Sequence, residues 1–350
     1  MQAMVPSRLV LHNGEVYEGL SPAWQHESFF GEVVFTTGMT GYVESLTDPS
    51  YAGQILTFTF PLIGNYGVPN NTLWESKKIH ARGVVIEELS TFYSHFHAKQ
   101  SFLDWLREQN VPLICCVDTR ALTKSLRIEG VALGAITQKK VLPETFEDPN
   151  QLHLVAEVSQ PQIQEYGKGK KKIIAVDCGM KENIVRCLMQ FPLTIKRVPY
   201  NYDYSQEDFD GIFISNGPGD PVMCKETIAI LQRAMKKNKP IFGICLGAQL
   251  LALSIGAKTC KLPFGHRGQN QPCQELKTGR CWLTSQNHGY AIVESTLPKD
   301  WTVTFRHLND LSVEGIAHTS LPFFAVQFHP EASPGPVDTM YLFEQFYKLL

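Results

Sequence analysis

The sequence is short of several things, and each shortage narrows the reading. No uninterrupted apolar run reaches the roughly 18 residues needed to cross a bilayer, so no membrane span is expected. The opening stretch, MQAMVPSRLVLHNG, carries neither a basic leader nor an apolar signal core. That points to a cytoplasmic protein. Neither sign of charge is in surplus: 32 Lys and Arg face 34 Asp and Glu, a net of −2. A nucleic-acid binder ordinarily shows a basic face or tail, and the one basic run, KGKKK at Lys168–Lys172, reads as a solvated segment. Cys-x-x-Cys pairs are absent as well. The nine cysteines stand at Cys115, Cys116, Cys178, Cys187, Cys224, Cys245, Cys260, Cys273 and Cys281. An odd, scattered set fits a reducing compartment better than a disulfide framework, and gives no reason to expect zinc. Most of these thiols read as small buried hydrophobes.

What remains is an ordinary soluble composition, 43% hydrophobic and 19% charged, over 350 residues. That length is comfortable for two domains. In the first half, short apolar runs flank His12-Asn13-Gly14, and Asn-Gly between such runs is a hairpin signal. EVVFTTGM and QILTFTFPLIGNYG add β-branched and aromatic runs bounded by glycine. SFLDWLREQN places Phe102, Trp105 and Leu106 on one helical face. VDTRALTKSLRIEG reads as a helix capped by Asp118 or Thr119 and ended at Gly130. The first half is therefore a mixed α+β domain, assigned to residues 1–157.

Residues 158–171, rich in Gln, Gly and Lys with no apolar period, read as a linker. From 172 to 350 strands alternate with helices: KIIAVDCG, KENIVRCLMQ, TIKRVPY, FDGIFISNGPGDP, KETIAILQRAMKKN, PIFGICLG and AQLLALSIG. This is the pattern of a doubly wound, mostly parallel α/β sheet, which binds ligands beyond the C-terminal ends of its strands. SNGPGDP and GICLG both fall at such ends.

Gly243-x-Cys245-x-Gly247 has the spacing of a nucleophile elbow with cysteine in place of serine. A strand-to-helix turn that sharp tolerates little side chain on either flank. It would set the thiol at a helix N-terminus, where N–H groups favour thiolate and can cradle an oxyanion. Taken alone, the pentapeptide fits a buried core cysteine equally well. FFAVQFHPEAS shifts the balance: His329 can take the thiol proton, and Glu331, beyond the turn-fixing Pro330, can orient the ring. In SNGPGDP, two glycines expose backbone N–H groups suited to an oxyanion or a substrate's charged end.

In this order, SNGPGDP, GICLGAQ and QFHPE resemble the class I glutamine amidotransferase domain. The resemblance implies Cys245 as nucleophile, His329 as general base and acid, and Glu331 as orienting carboxylate. Leu246 and Gly217 would supply the oxyanion N–H groups. GEVVFTTGMTGYVESLTDPSYAGQIL, TFPLIGNYGVP and VDTRALTKSLR, with AVDCGMKENIVR, SIGAKT, FGHRGQNQP and SQNHGYAIV, are similar to the small-subunit family of carbamoyl-phosphate synthetase over about residues 8 to 347. That family implies glutamine binding by Ser50, Gly217, Gly219, Leu246, Gln249, Asn287, Gly289 and Tyr290. It implies a glutaminase that hydrolyses L-glutamine through a cysteine thioester and passes ammonia to a large synthetase subunit, forming at least a heterodimer. The product would serve pyrimidine and arginine synthesis. ATP and metal would sit on that partner, with no cofactor in this chain. Since nothing like an ATP-grasp synthetase follows YLFEQFYKLL, the partner is expected to be a separate polypeptide.

Two positions depart from the family wording: Ala248 stands where GICLGHQ has histidine, and Tyr290 where phenylalanine is common. A free-standing cysteine hydrolase and a non-catalytic scaffold subunit are the competing readings. His288 reads as a loop histidine beside the glutamine site.

Overall fold

The computed structural model describes residues 3–139 and 145–350. The chain divides into two compact units, Met1–Leu152 and His153–Leu350.

The first unit is built on a seven-stranded sheet. The hairpin expected at Asn13-Gly14 is its edge: Met4–Leu11 pairs antiparallel with Val16–Pro22, and Gly14 takes φ 91°, a conformation open to glycine. Next come Ala132–Thr137, antiparallel to Met4–Leu11, and Phe29–Thr36, antiparallel to Ala132–Thr137. Gln54–Phe58, Gly83–Val85 and Leu113–Ile114 then continue in parallel. The helix Phe102–Glu108 starts at Ser101, whose hydroxyl accepts the Asp104 N–H, and buries Phe102, Trp105 and Leu106. The helix Thr119–Glu129 is capped by the Asp118 carboxylate and stops at Gly130.

The second unit carries a ten-stranded sheet. Its parallel half runs Leu193–Pro199, Lys171–Asp177, Gly211–Ile214, Ile241–Ile244 and Phe323–Val326. Antiparallel strands extend it from Phe323–Val326: Val313–His318, Cys281–Ile292, Thr259–Glu275 and Trp301–His307. Apolar clusters lie on both faces. One gathers Ile212, Ile214 and Ile241 with Ile230 and Leu231 of the helix Lys225–Met235 and Leu250 and Leu251 of the helix Leu246–Ser254. The other joins Ile173, Phe213 and Phe242 to Ile184 and Leu188 of Glu182–Leu188 and to Phe343 and Phe346 of Tyr341–Leu349. Burial on both faces explains why these strands read as continuous apolar runs. The doubly wound expectation holds for the parallel half.

The boundary falls elsewhere than the composition suggested. Residues 158–171 do not form a free linker. Gln164–Tyr166 pairs antiparallel with Leu193–Pro199, and the Ser159 hydroxyl donates to the Asp177 carbonyl at 2.6 Å. The short helix Leu154–Val158, whose residues the sequence assigns to the first domain except Val158 in the linker, adds Val155 to the second unit's core. A three-residue edge strand of Gln, Glu and Tyr shows no apolar alternation, so pairing supplies what the pattern could not.

Candidate active site

Cys245 joins the strand Ile241–Ile244 to the helix Leu246–Ser254 with φ 54° and ψ −106°, a strained conformation for a residue with a side chain. Its amide donates to the Val326 carbonyl at 2.9 Å, and its own carbonyl accepts from Ala248 and Gln249. The flanking glycines are sterically required. A Cβ on Gly247 would stand 2.2 Å from the Ile214 carbonyl oxygen, and one on Gly243 would stand 2.7 Å from the Gly247 carbonyl. Elbow geometry is therefore a packing consequence of Gly-x-Cys-x-Gly.

Gly217, in the loop after Gly211–Ile214, is equally constrained: its Cβ would meet the Cys178 carbonyl at 2.1 Å and a Leu246 methyl at 2.7 Å. Its backbone thus runs beside Leu246 at the head of the helix, where the first N–H groups have no intrahelical acceptor. Gly219 in the same loop takes φ 83°. Asp177 holds the neighbouring strand end through the N–H groups of Gly179 and Met180, at 2.8 and 2.9 Å.

His329 and Glu331 meet as the spacing suggested. The ring donates Nδ1–H to Glu331 Oε1 at 2.6 Å, and both side chains are buried. The His329 amide anchors to the Ser285 carbonyl at 2.8 Å. Lys181 was not among the expected site residues. Its buried ammonium reaches Glu331 Oε1 at 3.1 Å and also donates to the Ala332 carbonyl. Burial alone would push Glu331 up, but Lys181 and then His329 outweigh it and hold the carboxyl down at about 2. Burial likewise opposes charge on His329. The Glu331 carboxylate, followed by Cys245, prevails and raises the ring to about 10.

The expected hydrogen-bonded line from thiol to imidazole is not closed. The Cys245 thiol donates instead to the Asn287 carbonyl, with Sγ 3.7 Å from the oxygen, and His329 Nε2 makes no hydrogen bond.

Among the other expected positions, buried Gln249 donates to the Tyr290 carbonyl at 2.9 Å and to Gln327 Oε1 at 3.1 Å. The Tyr290 carbonyl also accepts from His288 Nδ1 at 2.8 Å, so these contacts use its backbone and are indifferent to a Phe-to-Tyr exchange. Asn287, Gly289 and Tyr290 share the strand Cys281–Ile292. Ala248 is wholly buried in an apolar cluster with Leu250 and Leu251, where a proton-transferring side chain would have no use. Ser50 belongs to the first unit, in the turn Pro49–Tyr51, where its N–H is held by Asp48.

Two family patterns match the chain. The family described as "Glutamine amidotransferase class-I" covers residues 174–349, and "Carbamoyl-phosphate synthase small chain, CPSase domain" covers residues 9–136. A carbamoyl phosphate synthase arginine-specific small chain of Aspergillus oryzae is 47% identical over 95% of this chain and 78% of its own length. This chain belongs to the carbamoyl-phosphate synthase small-chain family. Another arginine-specific small chain, from Debaryomyces hansenii, is 46% identical to this family member over 97% of the chain and 84% of its own length. The multifunctional protein CAD of Squalus acanthias is 50% identical over 90% of this small chain, which spans only 15% of that protein's length. The C-terminal unit of this small chain is thus that of a glutamine-amidotransferase-like enzyme. Among the described residues, no helix is long and apolar enough to cross a membrane.

Proposed function

We propose that the chain is the glutamine-hydrolysing subunit of a carbamoyl-phosphate synthetase, with Cys245, His329 and Glu331 as its catalytic residues. The observation that carries this is a cysteine held at a strained strand-to-helix turn beside a buried His329–Glu331 pair. The thiol turns from Asn287 toward His329 when glutamine enters. With the ring raised, the pair reacts as thiolate and imidazolium: the cysteine's proton is held on Nε2, and the thiolate attacks the side-chain amide carbon. Glu331 stabilises the imidazolium, which is why the ring is raised. Lys181 keeps Glu331 ionised throughout. The N–H groups of Leu246 and Gly217 receive the oxyanion.

Collapse of the tetrahedral species gives a glutamyl thioester on Cys245. The proton on His329 goes to the leaving nitrogen, and ammonia departs. His329 then deprotonates a water, which attacks the thioester and releases glutamate and the free thiol. Ammonia passes to a large synthetase chain that holds ATP and the metal ions serving it, in the cytoplasm, for pyrimidine or arginine synthesis. Gly219, Gln249, Asn287, Gly289 and Tyr290 line up the substrate.

The test is carbamoyl-phosphate formation by the chain together with a large subunit, with glutamine or ammonia as nitrogen donor. Cys245→Ser abolishes the glutamine-dependent reaction and leaves the ammonia-dependent one intact. Equal loss of both, or loss of neither, contradicts the assignment.

A further inference from the structure

Away from Cys245, two buried imidazoles converge on one buried carboxylate. His288 donates Nδ1–H to the Tyr290 carbonyl at 2.8 Å, since a carbonyl can only accept. Its Nε2 lies 3.6 Å from Glu314 Oε1 and 3.1 Å from Gln286 Oε1, within hydrogen-bond reach of the amide oxygen. The amide of Gln286 is fixed that way round because its Nε2 donates to Glu314 Oε2 at 3.0 Å. His266 donates Nε2–H to Asp310 at 2.7 Å, which turns Nδ1 toward the same Glu314 Oε1 at 3.4 Å. Neither His266 Nδ1 nor Glu314 Oε1 makes a hydrogen bond, although Glu314 is 0% and His266 only 7% exposed.

We infer that His266 Nδ1, His288 Nε2 and Glu314 Oε1 form a binding site for a zinc-like divalent transition-metal ion. Bonds of about 2.0–2.1 Å to a tetrahedral ion place its ligand atoms about 3.3 Å apart. The observed separations are 3.4 and 3.6 Å, and all three atoms lie within 4.8 Å of one another. Two imidazoles and one carboxylate suit zinc or a similar borderline ion rather than calcium or magnesium. Each imidazole is already oriented by an oxygen on its far nitrogen, Asp310 for His266 and the Tyr290 carbonyl for His288, as ligating histidines are. Gln286 Oε1 or a water completes the shell.

A second grouping, His266 with His307 and Asp310, lies close by. His307 is already satisfied as a neutral ring: Nδ1 accepts the Asn309 N–H at 3.1 Å and Nε2 donates to Gln271 at 3.0 Å. It has no lone pair to spare.

The site ties three strands together. His266 and His288 are direct cross-strand partners on Thr259–Glu275 and Cys281–Ile292, and Glu314 comes from Val313–His318. A bound ion would pin the segment that carries Asn287 and Gly289. The proposal departs from the expectation of no metal in this chain, which rested on cysteine spacing and on the family resemblance; these ligands share no local motif.

The experiment uses the full, untagged chain with its cysteines alkylated, equilibrated with Zn²⁺ and desalted. Elemental analysis is expected to find one zinc per chain, and a chelator to lower Tm. Glu314→Gln weakens retention at least tenfold, while His307→Asn retains the ion. Because Glu314→Gln can fail to fold, Co²⁺ loaded into the wild-type chain gives an independent reading through the visible bands of a tetrahedral N/O site. Failure of the alkylated wild type to retain zinc, with Tm indifferent to chelator, would mean that the three groups share a proton instead. Undiminished zinc on folded Glu314→Gln, or an octahedral cobalt spectrum, also overturns the proposal.

Discussion

Gly247→Ala is the substitution whose consequence the structure fixes most tightly. The new methyl would stand 2.2 Å from the Ile214 carbonyl oxygen, 2.8 Å from its carbon and 3.0 Å from the Ile214 Cβ. Backbone faces backbone here, so no side-chain rotation relieves the clash. Restoring contact requires the head of the helix Leu246–Ser254 to move about 1 Å from the strand Gly211–Ile214, and overpacking of this kind costs about 1–3 kcal/mol. The moving segment carries Cys245 and the Leu246 N–H. A displacement near 1 Å at reacting groups typically costs about 100-fold in rate. Glutamate release should therefore fall about 100-fold, with the loss in kcat, by the same geometric argument. Urea unfolding should show the modest destabilisation.

Gly256→Ala is the matched control: that glycine has φ +85° but nothing within 4 Å of its added Cβ. It should lose about 1 kcal/mol from the backbone conformation and keep its turnover. Wild-type turnover in Gly247→Ala would refute the claim that this contact positions the elbow.

Glu331→Gln removes the main charge that raises His329 and leaves the Lys181 ammonium uncompensated. Burial then dominates and the ring's affinity for protons falls. The pH–rate profile of glutamate release should lose its ordinary shape, with activity down about 10²–10⁴-fold, the usual worth of such acid–base machinery. An unchanged profile contradicts the pairing.

Stability should follow the same pair. His329, raised from 6.5 to about 10, stabilises the fold fully below pH about 6.5 and loses that contribution as pH rises toward 10. Glu331, lowered from 4.5 to about 2, contributes above pH about 4.5 and loses its part as pH falls toward 2. Denaturant titrations of wild type between these limits should show both slopes, and His329→Asn should lack the alkaline one. Arg197→Met tests the support beneath the site. Arg197 Nε bonds Asp177 and its Nη1 bonds Glu182, each at 2.7 Å, in a largely buried network. Breaking such a pair should cost about 3–5 kcal/mol by urea unfolding, and a loss under about 1 kcal/mol would show that the network is dispensable.

The parts of this fold that sequence revealed are those governed by neighbours in the chain. Gly243, Gly247 and Gly217 are glycines because a Cβ would strike backbone, and such needs leave a local mark. His329 and Glu331 are two residues apart and bond directly. The Asn13-Gly14 hairpin and the Asp118 cap are likewise short-range events. Lys181 reaches Glu331 from a distant helix start, and one lysine in GMKEN carries no sign of that destination. His266, His288 and Glu314 come from three strands whose pairing brings them together. The direction of the Cys245 thiol is set by the Asn287 carbonyl, a backbone group that any residue could have supplied.

The most direct test of the central claim is glutamate release from glutamine by the purified chain, alone and with a large carbamoyl-phosphate synthase subunit, comparing wild type with Cys245→Ser. The account predicts release that requires Cys245 and rises sharply when the partner is present. A folded chain in a formed complex that releases no glutamate, or that releases it equally well as Cys245→Ser, would contradict it.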